Sequence, residues 1–414
     1  MITKIPKTKD VLENFTFEKN DKLQRETIAN NFNRCFEGTE GNLILAINGE
    51  WGQGKSAFLH MWKNQLRFKE KEVIYLNLWE EDFYKEPFLS ILNTFSNNFF
   101  DIKKDLISIS KKILKHILEK KTGLNIDEFF DKSVYDEINN DKIKLKEILR
   151  KKIGERTDNF PLVVMIDELD RCNPLYAIEF LEVIKHFFDI DKIVFVLALD
   201  IQELEHSIKK VYGENLNTQR YLRKIIDVIY DLPNPSLELY FDHILQKYGD
   251  KYTDLSENGN VFRCCILKNA KNLRDIEKFF IRYNLSFKEK KNQRLQSLSF
   301  NENQKYFIRT YLLLLTQLNK ELYSEIREKS LTKEKIKLFF EFLGIEKKNV
   351  PGDFIRAIFE LLTWGKTPSL SNQTIKGEIE TLGYNTSYIG ETIGGISYDP
   401  KTDFLLIDFL QEID

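Results

Sequence analysis

Residues Gly49–Ser56 read Gly-Glu-Trp-Gly-Gln-Gly-Lys-Ser, and few octets restrict a fold as tightly. They match the spacing G-x-x-x-x-G-K-[ST]. The run Asn42-Leu-Ile-Leu-Ala-Ile-Asn48 before the octet reads as a buried strand. Ala57–Leu66 after it reads as a helix with its apolar residues on one side. Strand, glycine turn and helix start in that order make a cradle for phosphate. Glycines let the backbone turn tightly enough for successive N–H groups to converge, and the helix N-terminus adds partial positive charge. Gly49, Glu50, Trp51, Gly52, Gln53, Gly54, Lys55, Ser56 and Ala57 are therefore the expected nucleotide-binding residues. Lys55 would reach the β- and γ-phosphates, and the Ser56 hydroxyl would hold Mg²⁺.

Such a loop needs a partner strand ending in acid. Leu162-Val-Val-Met-Ile166 is short, β-branched and uninterrupted, as expected of a strand covered on both faces, and Asp167-Glu168-Leu-Asp170-Arg171 follows at once. Asp167 is the expected second holder of Mg²⁺. Glu168, one residue further out, is placed to orient or deprotonate an attacking water. Open α/β sheets bind ligands at the carboxyl ends of their strands, so loop and acids belong to one site. A further strand, Ile193–Leu199, ends in Asp200, which reads equally as a cap for the helix Ile201–Val211 and as a polar group near the γ-phosphate.

Composition narrows the class. The 414 residues exceed one ordinary core, so roughly two or three domains are expected. Apolar residues at 42% and charged ones at 30% describe a globular chain, and a net charge of -2 argues against a strongly basic polymer binder. The four cysteines (Cys35, Cys172, Cys264, Cys265) contain no C-x-x-C pair, and the five histidines fall singly, so neither a disulfide framework nor a zinc site is supported. Met1–Lys9 carries three lysines with no apolar run behind them, and the longest uncharged stretch, Pro87–Phe100, is too short to cross a bilayer. The expectation is a cytoplasmic protein without membrane insertion.

Several segments together resemble the KAP family of P-loop NTPases over roughly Leu23 to Asn284. They are the Gly-x-Trp-Gly-x-Gly-Lys-Ser loop, Asn77-Leu-Trp79, Asp167-Glu-Leu-Asp-Arg-Cys-Asn-Pro174, Leu197-Ala-Leu-Asp200, Tyr221–Pro233 and Asn272-Leu-Arg274. The acidic segment is the most specific of these. The resemblance implies ATP hydrolysis in a parallel α/β sheet with an added strand, the ASCE or AAA-like arrangement, followed by a helical lid. It also implies a protein partner or effector, and for bacterial members a place in defence against phage and plasmids. The chain departs from many members in two ways. The interval between loop and acidic strand is charged and amphipathic instead of membrane-spanning, and no proline precedes Arg274.

The expected organisation is an arm and helix over 1–42 (helix Lys22–Phe36), then a core over 43–232 with a helical insert about 87–156. A helical lid follows over 233–300, and a mostly helical region with a short non-helical tail over 301–414. Arg274 from the lid, or Arg171, Arg220 or Arg223, could meet charge developing on a transferred phosphate, in cis or from a neighbouring copy in a homo-oligomer. Trp51 and Trp79 read as packing residues around the loop. Lys288, Lys290, Lys291 and Arg294 read as a solvated face, which leaves nucleic-acid binding open. The leading function is an ATPase driving or licensing a partner. The alternative is a nucleotide-gated switch with little turnover, and a small-molecule kinase ranks third.

Overall fold

The computed structural model describes residues 12–82, 86–98, 132–186, 188–248, 259–286, 310, 312–328, 332–343 and 372–382. The basic cluster at 288–294 and the tail at 383–414 lie outside these residues. The chain divides into two compact units, Met1–Asn234 and Pro235–Asp414.

The first unit is built on five parallel strands: β1 (Asn42–Asn48), β2 (Val73–Asn77), β3 (Leu162–Asp167), β4 (Ile193–Leu199) and β5 (Val228–Asp231), in the order β2-β3-β4-β1-β5. Every residue of β3 and β4 is buried, which is why both read as unbroken apolar runs. β4 lies between the loop-bearing β1 and the acid-bearing β3, pairing Asn48 with Leu199 on one side and Asp167 with Ala198 on the other. The carboxyl ends of β1 and β3 therefore face each other across one strand, roughly 10 Å apart by the usual strand spacing. This is the parallel sheet with an added strand that the sequence predicts.

Side chains alternate between the two faces of the sheet. Leu45, Ile47, Met165 and Val196 join α1 (Phe17–Asn20), α2 (Glu26–Phe36) and α3 (Lys55–Phe68) in one core. Ile44, Ala46, Ile166 and Leu197 join the helices of the other face. Those helices, after the short α4 (Leu78–Glu81), are α5 (Pro87–Asn98), α6 (Lys132–Arg156), α7 (Pro174–His186), α8 (Ile201–Tyr212) and α9 (Thr218–Leu222).

The helix expected from Lys22 begins only at Glu26. Gln24 takes a φ of +54°, outside the helical region, and the Asp21 carboxylate accepts from the N–H groups of Arg25 and Glu26 at 2.8 Å each, so the chain turns here before the helix starts. On the same side Trp62 is fully buried. It stacks against Phe32 and Phe36 and donates from Nε1 to Asn33 Oδ1 at 2.8 Å. Trp62→Ala is expected to cost about 3–5 kcal/mol of unfolding free energy, because it empties this layer and orphans the Asn33 acceptor; denaturant titration would measure it.

In the second unit the described residues are helical: α10 (Leu237–Tyr248), α11 (Gly259–Asn269), α12 (Leu273–Ser286), residues 312–318, α13 (Lys320–Arg327), α14 (Lys333–Leu343) and α15 (Asn372–Thr381). α11 packs on α14, with Asn269 Nδ2 donating to the Phe342 carbonyl at 2.7 Å. Arg263 grips Asp242 through two nitrogens. Among the described residues no helix is long and apolar enough to cross a membrane.

Candidate nucleotide site

The glycine loop leaves β1 with Gly49 N–H donating to the Leu199 carbonyl at 3.2 Å, which seats its start on the end of β4. Gly52 and Gly54 take φ values of +85° and +83°, a region that L side chains enter only at a cost. Gly54 is also the N-cap of α3 and offers no side-chain cap, so the N–H groups of the first turn stay open for an anion. Lys55 folds back over the loop, its ammonium donating to the carbonyls of Gly49 at 2.5 Å and Glu50 at 3.1 Å. Burial lowers its pKa, while Asp170, Asp200 and Asp167 oppose that shift. It is a largely desolvated cation ringed by carboxylates.

Ser56 comes next on the helix, and its hydroxyl is hydrogen-bonded to the Asp167 carboxylate. Asp167 is almost wholly buried at the end of β3. Burial raises its pKa, against hydrogen bonds from Ser56, from the Tyr75 hydroxyl at 2.8 Å and from the Glu168 N–H at 3.0 Å. A hydroxyl and a carboxylate side by side are hard oxygen donors of the kind Mg²⁺ takes, with water and substrate phosphate completing its shell. Among the described residues no group of three His, Cys, Asp or Glu gathers as a metal cage. The pair fits Mg²⁺.

Glu168 has a φ of +59°, left-handed for a residue with a side chain, which costs about 1–3 kcal/mol. That conformation opens the 3₁₀ turn Leu169–Arg171, with the Glu168 side chain at its start. Two groups hold it there: Arg171 Nη1 at 2.9 Å from Oε1, and the Asn77 side chain at the end of β2. Burial raises the Glu168 pKa, and Arg171 is the main influence lowering it.

The structure gives contacts to residues in and around the motifs that the motifs do not specify. Asp170 Oδ2 accepts from Trp51 Nε1 at 2.6 Å and from Asp200 N–H at 3.1 Å, tying loop, acidic turn and β4 end together. Arg25 is buried, with its pKa lowered by burial to about 10, and donates to the carbonyls of Gln53 at 2.8 Å, Gly54 at 3.4 Å and Pro233 at 3.1 Å. Gln53 Nε2 donates to Asn234 Oδ1 at 2.9 Å. Tyr75 and Asn77 support the two acids from the neighbouring strand.

The expected arginines separate. Arg171 enters the site but is engaged with Glu168. Arg220 and Arg223 are exposed on and just after α9, whose Tyr221 lines a cavity with Asn42, at the end of β1 away from the loop. Arg274 is exposed on the first turn of α12 in the second unit. Asp200 caps α8, accepting from Gln202 N–H at 3.1 Å, and also lies close enough to influence Lys55. Trp51 and Trp79, expected to pack around the loop, are 43% and 56% exposed, and the Arg171 guanidinium lies 5.7 Å from both ring centroids.

Comparison with known proteins bears on this assembly. No curated protein matches the chain. Solved structures with similar folds include Cdc6p from Pyrobaculum aerophilum, 13% identical, with 98% of each chain covered and a TM-score of 0.40. Domain III of the Thermotoga maritima replication initiation protein DnaA is 15% identical, covering 74% of this chain and 97% of that one at a TM-score of 0.35. The Aeropyrum pernix ORC2 protein is 11% identical, with 94% of each chain covered and a TM-score of 0.35. None of the three bears on the chemistry of the site. The family profile described as the KAP family P-loop domain matches residues 25–286, well over half the chain and the whole of the loop, acidic strand and added strand, and the protein belongs to that family.

Proposed function

We propose that the protein binds ATP with Mg²⁺ and hydrolyses it, and that the cycle powers or licenses a protein partner. The observation that carries this reading is the join between Ser56 and Asp167, with Glu168 projecting one residue beyond it. The loop N–H groups and Lys55 would bind the phosphates. Ser56 and Asp167 would hold Mg²⁺, which when bound supplies positive charge to the β- and γ-phosphate oxygens. The Glu168 carboxylate would orient the attacking water and take its proton, and burial, which raises its pKa, makes it the stronger base for that step. Lys55 and the α3 N-terminus would meet the charge that builds on the departing phosphate. With Arg171 engaged by Glu168, an arginine finger would be another arginine, in cis or from a neighbouring copy. The four cysteines are free thiols, in keeping with a cytoplasmic setting. The family resemblance supplies the setting we propose, anti-phage defence beside an effector.

The test is phosphate release from ATP by the full chain, scanned over protein concentration. Release per subunit that rises with concentration supports a hydrolase completed by self-assembly, and constant release supports one complete in a single chain. Bound ATP with no release at any concentration overturns the hydrolase reading in favour of a nucleotide-gated switch.

A further inference from the structure

The Glu168 carboxylate is held through a chain of contacts that ends at the protein surface. Arg171 Nη1 lies 2.9 Å from Glu168 Oε1, and the two side chains are only 25% and 18% exposed. The same guanidinium sits 5.7 Å from the ring centroids of both Trp51 and Trp79, within the ~6 Å reach over which a planar cation is attracted to an indole face. The two indoles come from different parts of the chain, Trp51 from the glycine loop and Trp79 from the helix after β2. Trp51 is pinned by its own hydrogen bond to Asp170, and Trp79 N–H is pinned by Asn77 Oδ1 at 3.1 Å. Asn77 also hydrogen-bonds Glu168.

We propose that Arg171 is a positioning residue for Glu168, and that the indoles of Trp51 and Trp79 fix where Arg171 stands. The carboxylate then faces the reaction only while the stack is closed. The geometry accounts for two otherwise odd features. Two tryptophans lie half in solvent beside the phosphate loop because their ring faces serve the guanidinium. Glu168 keeps a left-handed backbone because that turn carries its side chain to the Arg171 fork three residues on. Arg171 is thereby a support for the water-orienting group and not a cation for the phosphate.

This inference rests on the hydrolase reading, and two kinds of measurement keep them separable. In turnover, Arg171→Ala is expected to lower kcat by about 10- to 100-fold, the loss that misplacing a reacting group produces. ATP affinity should change by no more than about twofold, because the lost contact serves the transition state alone. Arg171→Lys keeps the charge but lacks the planar fork, so it should fall between wild type and Arg171→Ala. Trp79→Ala, at an exposed position, should lower kcat in the wild-type background and have little further effect beside Arg171→Ala, because the two residues act in one line. Unchanged kcat in Arg171→Ala, or an equal cost of Trp79→Ala in both backgrounds, overturns the proposal. Independently of turnover, the emission of Trp79, taken as the difference between wild type and Trp79→Phe, should shift when Glu168→Ala removes the side chain that anchors Arg171. That shift in a protein that hydrolyses nothing would remove the hydrolase reading and leave the linkage standing. An unmoved Trp79 emission would remove the linkage whatever the turnover.

Discussion

Lys55→Ala is expected to weaken ATP binding by roughly 100-fold or more, measured by titration calorimetry of the folded variant. The size follows from the charges around the site. Asp167, Asp170 and Asp200 all act on the Lys55 ammonium, and Arg171, the nearby guanidinium, is bound to Glu168. A triphosphate entering the loop brings several negative charges to a place already lined with carboxylates. Lys55, the open N–H groups of α3 and a divalent ion on Ser56 and Asp167 are what offset them, and Lys55 is the one full charge among these that the loop itself carries. Lys55 is largely buried, so its ammonium is only partly solvated before ligand arrives and gives up little hydration when phosphate binds. Fold stability should change far less than affinity. The Gly49 and Glu50 carbonyls lose one donor, yet a desolvated cation is removed with it. A variant that binds ATP like wild type would show that the loop holds no triphosphate through this residue.

The parts of the site that could be read from the chain are those whose signal is local. The glycine spacing, the apolar run ahead of it and the amphipathic helix behind it lie within 42–66, and the structure shows β1, loop and α3 there. The strand ends at Asp167, Leu199 and Asp231 follow from where unbroken apolar runs meet acid or polar residues. Sheet order needed more than periodicity. The family resemblance implies an added strand, and the structure shows it to be β4, lying between β1 and β3.

What escaped the reading was set by register and by long-range contact. Tyr75 reaches Asp167 because β2 pairs Asn77 with Asp167, which leaves Tyr75 two residues back on the same face. A tyrosine in an apolar strand carries no mark of that. Arg25 bridges the loop and Pro233 across 208 positions, and inside the expected helix Lys22–Phe36 nothing in the sequence marks it for that role. Asp170 stands in plain view within the acidic motif, but its bonds to Trp51 and Asp200 depend on β4 lying beside β3. The sequence reads Trp51 and Trp79 as packing residues around the loop, and only the structure shows that what they face is the Arg171 guanidinium.

Glu168→Gln is expected to cut ATP turnover by at least about 100-fold while ATP binding is retained, measured as phosphate release and calorimetry on the same preparation. Glutamine keeps the size of the side chain and can still accept from Arg171 and Asn77, so the turn need not move. It also has the same tolerance as glutamate for a φ of +59°, so the backbone cost is unchanged. What disappears is the carboxylate next to Asp167 that can take a proton from water while its neighbours Arg171 and Asn77 stay in place. Asp167 is committed to Ser56 and Tyr75, Asp170 to Trp51 and the Asp200 N–H, and Asp200 to the start of α8. None of these can substitute without breaking a bond that shapes the site. Burial already disfavours the Glu168 charge, so its removal should leave the unfolding free energy close to that of wild type. Turnover that survives the substitution would take the water-orienting role from Glu168. Turnover and binding lost together would mean that the carboxylate supports the loop and not the reaction.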